Sequence, residues 1–211
     1  MSQNRSSAVM QQRNEPDDSL DDFPTMPWGG RALCEYLRGR SMLYGHDSCL
    51  EPAANRGFLA RGLRDYFKTV ICRDVHDYGV GFEVRDFLFP GEPDPVNWVI
   101  TNPPFRLAQQ FVERSMDLAP NCAMLVRSAF LEGQARHEHL FSKRPPQLIL
   151  QFTERLPMNR SVCHADMTTA TAYCWLVWTH RMDLRPTVFD WIAPCRKRLE
   201  RAGDYDLAVA A

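Results

Sequence analysis

Four consecutive residues, Asn102-Pro103-Pro104-Phe105, offer the most specific chemistry in the chain. Two prolines fix φ and remove two N–H donors, and the first keeps Asn102 out of helical geometry. What remains is a stiff loop of acceptors beside the flat apolar face of Phe105. The acceptors are the Asn102 side-chain oxygen and the backbone carbonyls. A planar amino group suits such a site, because two acceptors hold its two N–H bonds while the ring stacks on its π-system. The exocyclic amine of adenine is a weak nucleophile, since its lone pair is delocalised into the ring. Hydrogen bonds that favour a tetrahedral nitrogen free that pair, with no call on a protein nucleophile or a metal. A plain proline turn before a helix is the simpler reading of the same four residues.

Earlier in the chain, Glu51-Pro52-Ala53-Ala54-Asn55-Arg56-Gly57 joins a strand to a helix. Small residues and Gly57 let backbone approach a ligand closely, and the helix presents free N–H groups. The loop is neither GxGxxG nor a P-loop. Its opening acid favours a ligand with a cationic group. Asp74 ends the next strand, where an acid commonly accepts hydrogen bonds from ribose hydroxyls. Asp86, followed by Phe87, comes where a further strand should end.

These residues need elements to hold them. Pro27 sits where a first helical turn would start, with Ala32, Leu33, Tyr36 and Leu37 following at helical spacing. Strands are expected at 48–50, 69–72, 97–101, 122–126, 147–152 and 169–178, with helices at 57–67 and 107–118. Such alternation implies a mostly parallel sheet covered on both faces. The late strands have less helix between them, which suggests an antiparallel edge.

Composition narrows the function. The chain has 211 residues, 45% hydrophobic and 24% charged, with a net charge of −1. That fits one domain with tails, and excludes a protein that coats nucleic acid by bulk charge. No apolar run is long enough for a membrane span, and the polar N-terminus is not a signal peptide. Seven scattered cysteines without a CxxC pair read as reduced thiols in a cytoplasmic protein. No metal site is expected, because neither His137/His139 nor Cys163/His164 has finger spacing. Residues 1–22 read as a disordered arm, 23–193 as the folded domain, and 194–211 as a basic tail carrying Arg196-Lys197-Arg198.

With these motifs in this order, residues 23–180 resemble class I S-adenosylmethionine-dependent methyltransferases. The likeness is to amino-group enzymes with an NPPF or NPPY loop, such as bacterial and phage DNA N6-adenine methyltransferases. The resemblance implies a three-layer α/β/α Rossmann-like fold whose seven-stranded sheet has an antiparallel last strand. It assigns S-adenosylmethionine to Thr25, Pro27, Glu51, Pro52, Ala53, Asn55, Gly57, Asp74, Asp86, Phe87 and Asn102. Asn102, Pro103, Pro104 and Phe105 would be catalytic. Asn55 departs from the pattern, standing where the family has its first glycine, yet Asn tolerates left-handed backbone. For a flipped base, Phe105 and Phe130 would line the pocket, and Arg127 or Arg136 would contact phosphate. The expected activity is methylation of adenine N6 in DNA. RNA adenine, protein glutamine, or a silent nucleic-acid- or partner-binding module are the alternatives. Trp175 and Trp178 read as core. A homodimer would help a small enzyme span its site.

Overall fold

The computed structural model describes residues 20–91, 95–180 and 186–206. Residues 1–19 of the expected arm lie outside these. The described chain forms a mixed sheet with helices on both faces. Its elements run α1 (Pro27–Gly39), β1 (Ser48–Glu51), α2 (Phe58–Leu63), β2 (Thr69–Asp74), β3 (Glu83–Val84) and β4 (Trp98–Thr101). They continue with α3 (Ala108–Leu118), β5 (Asn121–Arg127), α4 (Gln134–Arg136), β6 (Leu148–Phe152), β7 (Tyr173–Thr179), β8 (Val188–Ile192) and α5 (Arg196–Leu199).

The strand order is β3-β2-β1-β4-β5-β7-β6-β8. All neighbours pair parallel except β7, which is antiparallel to β5 and to β6. The expected α/β fold, mostly parallel with one antiparallel strand, is therefore borne out. Two details differ. The sheet has eight strands, and β7 lies inside it rather than at an edge. It can sit there because Tyr173–Thr179 is buried along its whole length and hydrogen-bonded on both sides. The edge is taken by β8, whose Asp190 and flanking prolines hide a short strand from a reading of composition.

Two apolar layers sandwich the sheet. On one face α1, α2 and α5 pack with Trp28, Leu33, Leu63, Trp98, Trp175 and Leu199. On the other, α3 and the turns after β5 pack with Val99, Phe111, Val112, Phe130 and Leu176. Trp175 and Trp178 are core, as expected. Pro27 opens α1, where its missing N–H costs nothing. α1 meets α2 so closely that a Cβ at Gly62 would fall 2.2 Å from the Pro27 carbonyl oxygen. This contact fixes the segment before α1 against the loop between β1 and α2.

Residues 194–206, set apart in sequence by their charge, pack against the body. Cys195 and Leu199 join the core. Arg196 pairs with Glu200, and Arg198 with Glu35. Two of the three cations of the expected basic tail are thus engaged within the chain. Arg31, buried on α1, is held by Asp204 at 2.6 Å and Asp65 at 2.6 Å, and donates to the Leu199 carbonyl. All seven cysteines are free thiols. No described helix is long and apolar enough to cross a membrane.

Candidate active site

Parallel strands bring the ends of β1, β2, β3, β4 and β5 to one edge of the sheet. Along it stand, in spatial order, Asp86, Asp74, Glu51, Asn102 and Arg127. Glu51, Asp74 and Arg127 are the last residues of their strands, and Asn102 follows β4 directly. An open α/β sheet binds ligands at this edge, where the strand order reverses. Here the reversal lies between β1 and β4.

An open cleft of about 850 Å³ of empty space occupies the reversal. Thr25, Glu51, Pro52, Ala53, Asn55, Asp74, Asp86, Phe87, Asn102 and Pro104 line it. Pro27, Gly57, Pro103 and Phe105 do not. Pro27 and Gly57 shape the flanking turns, and Pro103 is buried under the loop. Gly57 is left-handed at φ 81°, and a Cβ there would meet the Phe82 ring at 2.8 Å. Asn55 is also left-handed, at φ 52°. Its side chain accepts from the Arg56 N–H at 2.8 Å and donates to Asp22 Oδ1 at 2.6 Å. The turn therefore survives without the family's glycine.

Phe105 faces a second, shallower hollow of about 500 Å³, shared with Ala108, Val126, Arg127, Ala129, Phe130 and Arg136. The four residues expected to hold substrate, Phe105, Arg127, Phe130 and Arg136, are brought together there. Asn102 stands between cleft and hollow. Its amide nitrogen donates to the Phe23 carbonyl at 2.9 Å and to Met158 Sδ at 3.4 Å. Its Oδ1 is buried with no hydrogen-bond partner. No hydrogen bond among the described residues claims the Pro103 carbonyl, whereas that of Pro104 accepts from the Leu107 N–H.

Solved structures share this architecture. A putative class I S-adenosylmethionine-dependent methyltransferase from Listeria monocytogenes superposes with a TM-score of 0.60 at 15% identity, over 83% of this chain and 67% of that one. A putative RNA methyltransferase from Pyrococcus horikoshii gives 0.56 at 16%, over 82% and 94%. A type I restriction-modification methyltransferase subunit from Streptococcus thermophilus gives 0.57 at 11%, over 87% of this chain and half of that subunit. No sequence-family profile and no curated protein matches the chain. The fold is that of class I S-adenosylmethionine-dependent methyltransferases.

On this methyltransferase fold the charges of the cleft are unusual. Glu51 is buried, its Oε2 has no partner, and burial followed by the nearby Asp74 charge pushes its carboxyl well above the usual range. Asp74 is also raised by burial, although its oxygens accept the backbone N–H groups of Asn55 at 2.8 Å and His76 at 3.0 Å. Asp86 lies two residues past β3 and accepts from the Leu88 N–H at 2.9 Å. Glu51 Oε2 is thus the one buried carboxyl oxygen without a partner among the described residues.

The sequence reading missed one wall of the site. Leu20, Asp21 and Phe23 line the cleft of this methyltransferase fold. Asp21 accepts from the Phe105 N–H at 2.8 Å. Asp22 pairs with Arg56 at 3.0 Å. Burial raises the Asp22 carboxyl, but hydrogen bonds with Arg56, Asn55 and Ser161 outweigh that and hold it below its usual value. Residues 20–23 thus strap the loop after β1 to the loop after β4. Their acidic composition masked this role, and the one signal was Phe23, the first aromatic after a polar stretch. Tyr78 and Met158 were also missed, because no spacing ties them to the motifs. Arg144 belongs to the opposite end of the sheet, where it pairs with Asp117 and its carbonyl accepts from the Trp178 Nε1–H.

Proposed function

We propose that this chain transfers a methyl group from S-adenosylmethionine to the exocyclic N6 amine of adenine in DNA. The observation that carries the reading is Asn102 Oδ1, a buried acceptor without a partner. It stands where a ligand cleft meets an aromatic hollow. An unsatisfied buried acceptor is costly and calls for an explanation, and a catalytic role is one.

The residues present fit the cofactor. The orphan Glu51 Oε2 suits an ammonium group, and Asp74 keeps lone pairs for ribose hydroxyls. Phe87, Leu107 and Phe111 supply apolar walls for a purine. When bound, S-adenosylmethionine supplies a methyl group on positively charged sulfur, an electrophile.

The chain's own residues then act on the amine. Asn102 Oδ1 and the Pro103 carbonyl accept its two N–H bonds and favour a tetrahedral nitrogen, which returns the lone pair to it. Phe105 stacks on the base and fixes its plane. The Phe23 carbonyl and Met158 hold the Asn102 amide so that its oxygen stays free. The proton released from nitrogen passes to solvent at the open mouth. These acceptors act most strongly once the nitrogen is tetrahedral, so they lower the barrier more than they aid binding.

The same chemistry on RNA is the second reading. It is favoured by the fold match that covers 94% of the putative RNA methyltransferase from Pyrococcus horikoshii. One assay separates the readings. Protein and methyl-tritiated cofactor are offered duplex DNA, single-stranded DNA and RNA, and the products are digested to nucleosides. The expected label is N6-methyldeoxyadenosine, reduced at least about 100-fold by Asn102→Ala. Full labelling by that variant, or label in another nucleoside, overturns the proposal. Label in N6-methyladenosine alone transfers it to RNA.

A further inference from the structure

The Phe105 face of the hollow that would receive the base is already covered in the structure. The Arg127 guanidinium lies over the Phe105 ring, 4.1 Å from its centroid. Phe23 packs on the same ring at 5.2 Å, tilted by 37°. A flat base cannot stack on Phe105 where the guanidinium sits.

Arg127 differs from the other arginines of this region. Arg136 also stacks, 4.7 Å from the Phe130 centroid, but it donates to the Glu132 carbonyl through Nε and Nη2. Arg56 stacks near Tyr78 and pairs with Asp22. Arg127 has no ion pair and no side-chain hydrogen bond among the described residues, and its Nε is buried without a partner. A guanidinium forfeits much by leaving its donors empty, since its planar fork is built for carboxylate or phosphate. Its position at the end of β5 fixes the backbone through pairing with Tyr173, so the long side chain is what can move.

We infer that Arg127 is a place-holder for the target base. In the free protein its flat cation covers the Phe105 face. When a nucleic acid binds, the guanidinium swings off the ring to a phosphate beside the target nucleotide, and the base takes its place. Attraction to phosphate thereby opens the pocket, and an adenine without phosphate meets a closed one. This rests on the proposed adenine chemistry for its substrate, but its test does not require methyl transfer.

The test uses the full chain and the variants Arg127→Ala and Arg127→Lys. Two ligands are titrated: a fluorescein-labelled single-stranded DNA of mixed sequence, by polarisation at several salt concentrations, and free adenosine, by NMR. For Arg127→Ala the expected DNA affinity falls about tenfold at low salt, and the slope of log K against log salt shrinks by about 0.7, one phosphate contact. Adenosine affinity rises several-fold, because nothing must be displaced. Arg127→Lys keeps the salt slope and shares the gain for adenosine, since an ammonium lacks the flat stacking face. Cofactor titration of each variant checks that the cleft is intact.

Adenosine affinity that falls together with DNA affinity makes Arg127 a structural residue and overturns the inference. Adenosine affinity that stays unchanged while DNA affinity falls leaves a simple phosphate contact, and overturns it too. If the opposed shifts appear but the wild type methylates no adenine, the place-holder stands and the adenine-transfer reading fails.

Discussion

Glu51 places a carboxyl where a folded protein rarely keeps one without a partner. Burial raises its proton affinity above that of the unfolded chain. The ligand-free protein therefore loses stability as pH climbs from the ordinary carboxylate value through the raised one, and keeps it below both. Asp74 is shifted the same way and adds to that slope. Asp22 is shifted oppositely, so its contribution is present above the ordinary value and lost as pH falls through the lowered one. Glu51→Gln is expected to flatten the loss with rising pH and to raise the melting temperature without ligand at pH above the ordinary carboxylate value. It is also expected to weaken S-adenosylmethionine by about tenfold or more, the worth of a hydrogen bond between charged groups. Calorimetry in buffers of different ionisation enthalpy checks the linked proton. Wild type releases protons on binding at pH between the ordinary and the raised value, and the variant releases fewer. A variant with unchanged slope and affinity removes Glu51 from the cofactor site.

The elements carry the residues to that edge, and close packing sets their spacing. Gly62 lets α2 rest against the first turn of α1, with the Pro27 carbonyl where a side chain would be. Gly62→Ala is expected to cost about 1–3 kcal/mol through overpacking. It should also loosen cofactor binding, because the Thr25 segment and the loop after β1 are displaced together. Urea melts and a cofactor titration read the two effects, and an unperturbed protein refutes the packing argument. Much of this level was legible in the sequence. Asn102–Phe105 and Glu51–Gly57 are contiguous, so their chemistry is written locally, and strand ends gave their place. The strap at Asp21–Phe23 was not legible, since acids in a polar stretch look solvated until Asn55 and Arg56 are seen to meet them. Nor was β8, where Asp190 and exposed Phe189 and Trp191 break the buried pattern. The position of β7 depends on long-range pairing, which no local pattern encodes.

The molecule as a whole is tied together by one buried charge. Arg31 is 2% exposed and reaches Asp204, also 2% exposed, across 173 positions of sequence. Removing Asp204 leaves the buried guanidinium with Asp65 as its one remaining counter-charge among the described residues. Asp204→Ala is expected to cost about 3 kcal/mol in a denaturant melt, and Arg31→Met with Asp204→Leu to recover most of it. A loss below about 0.5 kcal/mol would show the pair to be solvated and weak. The same tie sets a timetable for biosynthesis. As the chain leaves the ribosome, α1 precedes both partners of its buried cation, which arrive with residues 65 and 204. The helix that follows the Thr25 segment of the cleft therefore completes its charge pairing only after residue 204 has been made.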